Sequence, residues 1–315
     1  MKAIVTGGAG FIGSHLVDAL IRRGDEVTII DNLSTGALRH IAGHIESGAT
    51  RFCQQDLLKD GWQEAFRGAD RVYHIAADPD VRASSENPGR IYAQNVTATI
   101  RVLEAMRESG CNEVAFTSTS TVYGEADIIP TPEEYPRMEP ISIYGGTKLA
   151  CEAMISSYAH SYDWRSWVFR FANIIGERSN HGVIWDFIHK LLQDPCTLEI
   201  LGDGTQAKSY CSVTTCVDAV LFAVEHTNEP FACFNIGSED WIDVTSIASI
   251  VAGEMGLRDV VFRYTGGDRG WVGDVPRMLL SVEKLKSLGW RPIETSEEAV
   301  RAAARALIRE TGVHP

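Results

Sequence analysis

Tyr144 and Lys148 stand four positions apart in a stretch whose apolar spacing predicts a helix over residues 144–158. That spacing places the two side chains on one helical face. A free tyrosine titrates near 10, so a base working at neutral pH needs a pKa lower by about 3 units, roughly 4 kcal/mol in favour of the phenolate. A neighbouring ammonium group can supply such a field. The pair is a candidate for proton transfer, although a buried tyrosine beside a solvated lysine fits the same spacing.

A glycine-rich turn lies near the N-terminus, between a predicted strand over residues 3–6 and a predicted helix over residues 11–23. Glycines in this strand–turn–helix context permit a tight turn and the close approach of a pyrophosphate, and the helix N-terminus favours its negative charge. An acidic residue follows 18 positions after the last glycine. This combination predicts a dinucleotide site. Its candidate binding residues are Gly7, Gly10, Phe11, Ile12 and Gly13.

Asp31 is that acidic residue, and it ends a predicted strand over residues 26–30. A carboxylate here would accept hydrogen bonds from the adenosine ribose hydroxyls. The 2′-phosphate of NADP would face it as a like charge, and two such charges at about 4 Å cost on the order of 4 kcal/mol at an effective dielectric near 20. The expectation is NAD rather than NADP. An ordinary cap of the turn over residues 31–36 is the alternative role for Asp31.

Short β-branched runs alternate with amphipathic stretches in the first half of the chain, a pattern typical of a parallel sheet flanked by helices. We expect an α/β fold, a Rossmann-like doubly wound parallel sheet with a smaller C-terminal α/β substrate lobe. The predicted NAD-binding domain covers residues 1–172, with 213–238 returning to it, and the lobe covers 173–212 and 239–315. Short linkers predict that the two share a cleft.

Composition excludes several classes of partner. The 315 residues carry 29 Lys and Arg against 42 Asp and Glu, a net charge of −13, which argues against nucleic acid. No apolar run approaches the roughly 18 to 20 residues that cross a membrane. The seven cysteines contain no CxxC and indicate a reduced, cytoplasmic protein. No metal site is expected, since His40 and His44 are the one pair at helical spacing and lack a supporting frame.

Further short motifs follow in order along the chain. They are Asp31-Asn32, Asp56-Leu57, VYHIAA at 72–77, Asn95, TSTSTVYG at 117–124, RFAN at 170–173, GDGTQ at 202–206 and NIG at 235–237. With the glycine turn and the Tyr144–Lys148 pair, they make the chain resemble the extended short-chain dehydrogenase/reductase family over nearly all its length. Within that family it resembles the UDP-glucose 4-epimerases of the archaeal type. Several ordered motifs are far more specific than any one of them.

The resemblance implies NAD as the cofactor, a UDP-sugar as the substrate, and roles for particular residues. The implied catalytic residues are Thr119, Tyr144 and Lys148. The implied cofactor contacts, besides the glycine turn and Asp31, are Asn32, Ser34, Thr35, Gly36, Asp56, Leu57, Ile75, Ala76, Ala77, Asn95, Tyr144 and Lys148. The implied substrate contacts are Arg82, Thr119, Asn173, Gly182, Val183, Lys208 and Arg269.

The implied reaction is epimerisation at C4 of a UDP-hexose, between UDP-glucose and UDP-galactose, through a transient 4-keto sugar. Tyr144 would take the proton of the 4-hydroxyl while the C4 hydride passes to NAD and later returns to the opposite face. Lys148, together with the positive nicotinamide, would lower the pKa of Tyr144. A homodimer, formed through the helix that carries Tyr144, is also implied, although the apolar residues of that helix equally fit an internal core.

Departures from the family pattern bear on the alternatives. Dehydratases of the family carry Asp-Glu after the catalytic Thr, where this chain has Ser120 and Thr121, and this favours an epimerase. Met278 stands near the position of a bulky Tyr that excludes N-acetyl sugars in some epimerases. A 4-epimerase of UDP-N-acetylhexosamines or UDP-uronates is therefore an open alternative, with a nucleotide-sugar dehydratase or reductase behind it. Arg269 lies in a stretched form of a diphosphate motif, and an unpaired arginine on a surface loop is its alternative interpretation.

Overall fold

The computed structural model describes residues 1–271 and 273–312, and the chain divides into two compact units. Each unit is assembled from three separate stretches. Unit 1 consists of Met1–Val122, Ser142–Arg170 and Val220–Phe234, and unit 2 of Tyr123–Ile141, Phe171–Ala219 and Asn235–Pro315. Residues 123–141 thus go with unit 2, whereas the sequence analysis assigned them to the N-terminal domain.

The strands of the described residues are short, and the longest have seven residues. In chain order they are β1 (Lys2–Thr6), β2 (Glu26–Asp31), β3 (Thr50–Gln54), β4 (Arg71–His74), β5 (Glu113–Thr119), β6 (Arg165–Phe171), β7 (Asn173–Ile175), β8 (Thr197–Ile200), β9 (Ala207–Lys208), β10 (Tyr210–Ser212), β11 (Phe231–Ile236), β12 (Ile242–Asp243), β13 (Val261–Tyr264) and β14 (Arg277–Met278).

The α-helices of the same residues range from one turn to 20 residues. They are α1 (Phe11–Arg22), α2 (Ala42–Glu46), α3 (Pro88–Tyr92), α4 (Ala98–Ser109), α5 (Ile143–Tyr162), α6 (Val183–Gln193), α7 (Val213–His226), α8 (Val244–Glu254), α9 (Glu283–Ser287) and α10 (Ser296–Glu310).

A seven-stranded sheet with the order β11-β6-β5-β4-β1-β2-β3 forms the frame of unit 1. β1 pairs in parallel with both β2 and β4, and β4 pairs in parallel with β5. The strand order reverses between β1 and β4, and in such sheets ligands bind at the carboxyl ends of the strands beside this point. The predicted doubly wound α/β fold is confirmed. Trp62, Phe66 and Phe116 are among the fully buried side chains that hold the sheet and its helices together.

The helical stretch over residues 88–109 changes its winding in the middle. Between α3 and α4, residues Ala93–Thr97 form a π-helical turn. The backbone carbonyl of Asn95 accepts hydrogen bonds from the Thr99 hydroxyl at 2.6 Å and the Cys151 thiol at 3.4 Å. Side-chain donors thus satisfy a carbonyl at a point where the regular helical ladder is interrupted, and this turn lies next to α5.

Unit 2 has its own hydrophobic core, built by α6, α8 and α10 together with β8. Ile184, Leu198, Ile247 and Val300 are all buried there. α6 and α8 have 11 residues each and α10 has 15, so helices make up most of this core.

Candidate functional site

The glycine turn of unit 1 is built so that two of its glycines cannot be replaced. Gly7 has a φ of +72°, and a Cβ there would lie 2.7 Å from the Ala76 amide nitrogen. A Cβ on Gly13 would lie 2.1 Å from the Gly7 carbonyl oxygen. Gly10 is the N-cap of α1, it provides no side-chain hydrogen bond to the helix, and the first turn contains no acidic residue. A bare backbone cradle at an uncapped helix N-terminus fits a dinucleotide pyrophosphate.

The loop after β4 closes one side of this turn. The amides of Ile75 and Ala76 donate to the Thr6 carbonyl at 3.1 and 3.0 Å. Below them the buried His74 ring bridges the hydroxyls of Thr6, at 2.7 Å, and Thr99, at 2.9 Å. Burial lowers the pKa of His74 to about 3, so the ring is neutral at physiological pH. The histidine thus fixes the carboxyl ends of β1 and β4 without adding charge to the site.

Asp31 is buried at the carboxyl end of β2, as a ribose-binding carboxylate requires. Its oxygens accept hydrogen bonds from the backbone amides of Ala9 at 3.0 Å and Leu33 at 2.7 Å. Burial raises the pKa of Asp31 above its ordinary value, while these two amides act in the opposite direction. The carboxylate caps its own turn, as the alternative held. Because a carboxylate has about four acceptor sites, it also retains capacity for a ribose.

The other predicted adenosine contacts surround Asp31 at the ends of β2 and β3. Asn32 accepts the Ser34 amide at 2.9 Å, and Ser34 and Thr35 are exposed. A Cβ on Gly36 would lie 2.8 Å from the Ala9 carbonyl carbon, so this loop rests directly on the glycine turn. Asp56 follows β3, and its carboxylate accepts the Leu58 amide at 2.9 Å. The Leu57 side chain is buried in the core of unit 1.

Thr119, Tyr144 and Lys148 come together beside β5. Tyr144 lies in the first turn of α5, which the Ser142 hydroxyl caps by accepting the Gly145 amide at 3.1 Å. The Tyr144 side chain lies close enough to Thr119, at the end of β5, for Thr119 to act on its pKa. The Lys148 ammonium is buried, donates to the Thr117 carbonyl at 2.8 Å, and lies 4.6 Å from the centre of the Phe116 ring. The structure thus brings the three predicted catalytic residues together.

Burial opposes the ionisation of Tyr144. It raises the pKa of Tyr144 above its ordinary value, and the neighbouring Thr119 acts against this. Burial also lowers the pKa of Lys148 to about 8. Its ammonium is bound to the Thr117 carbonyl, and no hydrogen bond joins it to Tyr144 among residues 1–271 and 273–312. The lysine alone therefore does not activate the tyrosine, and further positive charge is needed.

Asn95 connects the loop after β4 to α5. Its Oδ1 accepts the Asp78 amide at 2.8 Å, and its Nδ2 donates to the Thr147 hydroxyl at 3.0 Å. The Thr147 hydroxyl donates in turn to the Tyr144 carbonyl at 2.8 Å. These bonds hold the first turn of α5 in place. Asn95 therefore acts within the protein, and its contact with the dinucleotide remains a prediction.

Three residues near this site were not predicted to be functional: Ser118, Glu152 and Arg170. Glu152 is buried one turn after Lys148 and accepts hydrogen bonds from the Ser118 hydroxyl and from Arg170, whose Nη2 lies 2.7 Å away. A buried ion pair holds its partners strongly, because loss of either leaves an uncompensated charge. The sequence signal was present, since Glu152 stands four positions after Lys148 on the same helical face.

The predicted substrate residues divide between the units. Arg82 lies on an exposed loop of unit 1. In unit 2, Asn173 on β7 donates to the Ser209 carbonyl at 3.1 Å, next to Lys208 on β9. Gly182, with a φ of +97°, begins α6, whose first residue is Val183. These uncapped amides at the start of α6 could bind a polar edge or an anion.

Lys208 and Arg269 meet around one carboxylate of unit 2. The Lys208 ammonium lies 2.5 Å from Asp274 and 5.3 Å from the centre of the Trp271 ring. Arg269 donates to the Asp274 carbonyl at 3.2 Å and forms an ion pair with Glu125. The structure thus brings the two predicted diphosphate cations together, and Arg269 is not an unpaired surface residue. Met278 is buried and pairs with Lys208 in the register of β14 and β9.

The family model described as NAD dependent epimerase/dehydratase family matches residues 3–237, most of the chain. The chain belongs to this family. A Methanocaldococcus jannaschii protein provisionally named UDP-glucose 4-epimerase is 35% identical over 95% of both chains. A crystal structure of a UDP-galactose 4-epimerase is 44% identical, with a TM-score of 0.88 over 98% of this chain and 99% of the other. A UDP-N-acetylglucosamine 4-epimerase from Methanobrevibacter ruminantium M1, in complex with UDP-N-acetylmuramic acid, is 28% identical, with a TM-score of 0.88 over 98% of each chain.

Family membership confirms the predicted resemblance, the enzyme class and NAD as the cofactor. No helix among the described residues is long and apolar enough to cross a membrane. Within the same residues, no group of three or more His, Cys, Asp and Glu side chains is arranged to hold a metal ion. His44 is bound to Asp18 at 2.6 Å, and His40 to the Ala9 carbonyl at 3.0 Å.

Proposed function

We propose that this enzyme is a UDP-hexose 4-epimerase that interconverts UDP-glucose and UDP-galactose. The observation that carries the proposal is the hydroxyl cluster at the end of β5. Thr119 lies beside the Tyr144 side chain and accepts a hydrogen bond from the Thr121 hydroxyl at 3.2 Å. Ser120 and Thr121 occupy the positions where a dehydratase would need an acid and a base. Neither hydroxyl performs that acid–base work near neutral pH, so the cluster supports transfer at one carbon without loss of water.

Each residue of the cluster has a role in this reaction. Thr119 holds the sugar 4-hydroxyl by a hydrogen bond and Tyr144 accepts its proton. NAD held in the glycine turn would supply a reversible hydride acceptor for C4, so the reaction would involve no net redox change. Lys148 is buried and adds positive charge to the site when it is protonated. A single NAD per enzyme then suffices for many turnovers.

The nucleotide would be held by the cationic groups of unit 2. Lys208 and Arg269 are the proposed contacts of the diphosphate, because ammonium and guanidinium groups bind phosphate oxygens by charge-assisted hydrogen bonds. Asn173 and the amides of Gly182 and Val183 are the proposed contacts of the remaining nucleotide-sugar. Most of the binding contacts must be made to the UDP portion, since the sugar has to present both faces of C4 during one catalytic cycle.

The identity of the sugar depends on residues near Met278. Its thioether side chain is flexible and smaller at the tip than a tyrosine ring, so it is compatible with an N-acetyl group. The relatives similar to this chain include enzymes named for UDP-galactose and for UDP-N-acetylglucosamine. UDP-N-acetylhexosamines and UDP-uronates are therefore included as alternative substrates in the test.

The decisive experiment is to incubate the purified enzyme, without added cofactor, with UDP-glucose, UDP-N-acetylglucosamine or UDP-glucuronate and to resolve the products by chromatography. We expect the C4 epimer of UDP-glucose and no accumulation of NADH. Tyr144→Phe should lower kcat by about 10²- to 10⁴-fold, the usual contribution of a general base. An unsaturated or keto product, or full turnover by Tyr144→Phe, would contradict the proposal. Epimerisation of only one of the other two sugars would reassign the substrate.

We also propose that the enzyme forms a homodimer through α4 and α5. Tyr162 on α5 is 49% exposed, and its ring lies 5.5 Å from that of Tyr158. Exposed aromatic residues are common in the centre of protein interfaces. Ile155, in contrast, is fully buried within unit 1, while Met154 and Tyr158 are partly buried against its core. The mass in solution, compared between wild type and Tyr162→Lys, tests this proposal, and a monomeric wild type would contradict it.

A further inference from the structure

Two ion pairs of different character surround the proposed diphosphate cations of unit 2. Asp274, whose side chain is 3% exposed, lies 2.5 Å from the Lys208 ammonium and also accepts the Gly270 amide at 3.1 Å. Glu125 is 47% exposed and forms an ion pair with Arg269, which is 38% exposed. Asp274 is therefore a fixed part of the protein, whereas Glu125 is held by a pair that solvent screens and that contributes little stability.

The surroundings of Arg269 contain more negative than positive charge. The guanidinium faces Glu125 and the Asp274 carbonyl, and its Nε lies 3.9 Å from the carboxylate of Asp268, which is 80% exposed. With Lys208, the cluster contains two cations and three carboxylates, a net formal charge of −1. A diphosphate brings further negative charge to this place. It would bind Arg269 well only after a carboxylate has left the guanidinium.

We infer that Glu125 is a displaceable counter-ion of Arg269, which the diphosphate of the nucleotide must replace and which thereby sets the affinity for UDP. The inference rests on the proposed function, since that is where the diphosphate is assigned to Arg269. Glu125 is the group that can move, because its side chain is half-exposed and Arg269 is its ion-pair partner. Asp274 stays in place and keeps Lys208 oriented. Such competition weakens the binding of both substrate and product. It therefore favours release of the product, which carries the same nucleotide as the substrate.

The test compares the affinity of the NAD-containing enzyme for UDP, measured by calorimetry, in wild type and Glu125→Gln. We expect the variant to bind UDP about 3- to 10-fold more tightly, because the guanidinium no longer has to leave a carboxylate. Uridine, which has no diphosphate, should bind both proteins equally. The gain for UDP should shrink as salt is added, since the competing interaction is between exposed charges.

Asp127→Asn is the matched control. Asp127 lies two positions further along the same loop and its ion pair, at 2.9 Å, is with Arg137. Removing its charge should change UDP affinity less than twofold. In an Arg269→Gln background, Glu125→Gln should have no effect, because its partner is missing. An equal gain in that background would assign the effect to general charge and overturn the inference.

The outcomes separate the inference from the proposed function. Wild type that binds UDP while Glu125→Gln binds it equally or more weakly would overturn the inference and leave the proposed nucleotide intact. Wild type that binds no UDP would remove the proposed function and the inference with it. If Glu125→Gln binds UDP more tightly than wild type and this gain disappears in the Arg269→Gln background, the inference and the proposed function are both supported.

Discussion

Replacement of Lys148 by methionine should stabilise the folded enzyme more at neutral pH than at high pH. Lys148 is 3% exposed, and burial lowers its pKa from the ordinary 10.5 to about 8. A group with a lower pKa in the folded state binds its proton less tightly there than in the unfolded chain. Lys148 therefore destabilises the folded state below about pH 8. This cost is relieved as the pH rises from about 8 towards 10.5.

The magnitude follows from the two pKa values of Lys148. A shift from 10.5 to about 8 corresponds to a cost of about 3 kcal/mol at pH 7. Roughly 2 to 3 kcal/mol of this cost is relieved between pH 7 and pH 10, mostly above pH 8, where the folded protein has lost the proton and the unfolded chain has kept it. The variant also loses the hydrogen bond to the Thr117 carbonyl and the contact with Phe116. The change with pH, rather than the difference at one pH, therefore isolates the ionisation.

The assay is urea unfolding of wild type and Lys148→Met at several values between pH 7 and pH 10. Over this range the free energy of unfolding of wild type should rise by about 2 to 3 kcal/mol relative to that of the variant, since only wild type has a buried ammonium group that loses its proton. Lys59→Met is the control, because Lys59 is exposed and keeps its water on folding. The difference in free energy of unfolding between Lys59→Met and wild type should stay constant over this pH range. A constant difference for Lys148→Met as well would refute the reasoning, because it would mean that burial imposes no cost on this charge.

Two further predictions concern the dinucleotide site. Gly13→Ala should weaken NAD binding at least tenfold and lower stability, because the new Cβ would lie 2.1 Å from the Gly7 carbonyl oxygen. Gly43→Ala, whose new Cβ would meet open space, should bind NAD like wild type and gain up to about 1 kcal/mol of stability as a helical alanine. NAD titration and urea unfolding of both variants check this, and normal NAD binding by Gly13→Ala would contradict it. Asp31→Ala should reduce the preference for NAD over NADP, which competition between the two cofactors measures, and an unchanged preference would show that Asp31 serves the turn alone.

Local sequence patterns predicted the parts of unit 1 that local physics determines. The glycine turn, Asp31 at a strand end and the Tyr144–Lys148 spacing each depend on a few adjacent residues and on the period of a helix or strand. The π-helical turn before α4 was not predicted, because it depends on Asn95 being held by Asp78 and Thr147, residues from two other parts of the chain. Periodicity within one helix contains no information about such partners.

Unit 2 was less predictable for a related reason. Arg269 was found from a motif, but its partner Glu125 lies 144 positions away in the sequence and comes to it only through the fold. The same is true of Lys208 and Asp274, which are 66 positions apart. A motif can thus indicate a cation for the diphosphate. Whether that cation is free to bind depends on long-range pairing, which only the structure shows.

The net charge of −13 has a limited influence on the chemistry of this enzyme. If the field of the whole acidic protein dominated, it would favour the charged form of Lys148 and raise the pKa of that lysine. Its pKa is instead lowered to about 8, and burial is the largest cause, although Glu152 one turn away acts in the opposite direction. Charges on the surface are screened beyond roughly 8 Å at physiological ionic strength, whereas the loss of hydration acts on the group itself. The ionisation of Lys148 is therefore governed by its immediate surroundings, and adding or removing surface carboxylates far from Lys148 should leave the pH dependence of kcat unchanged.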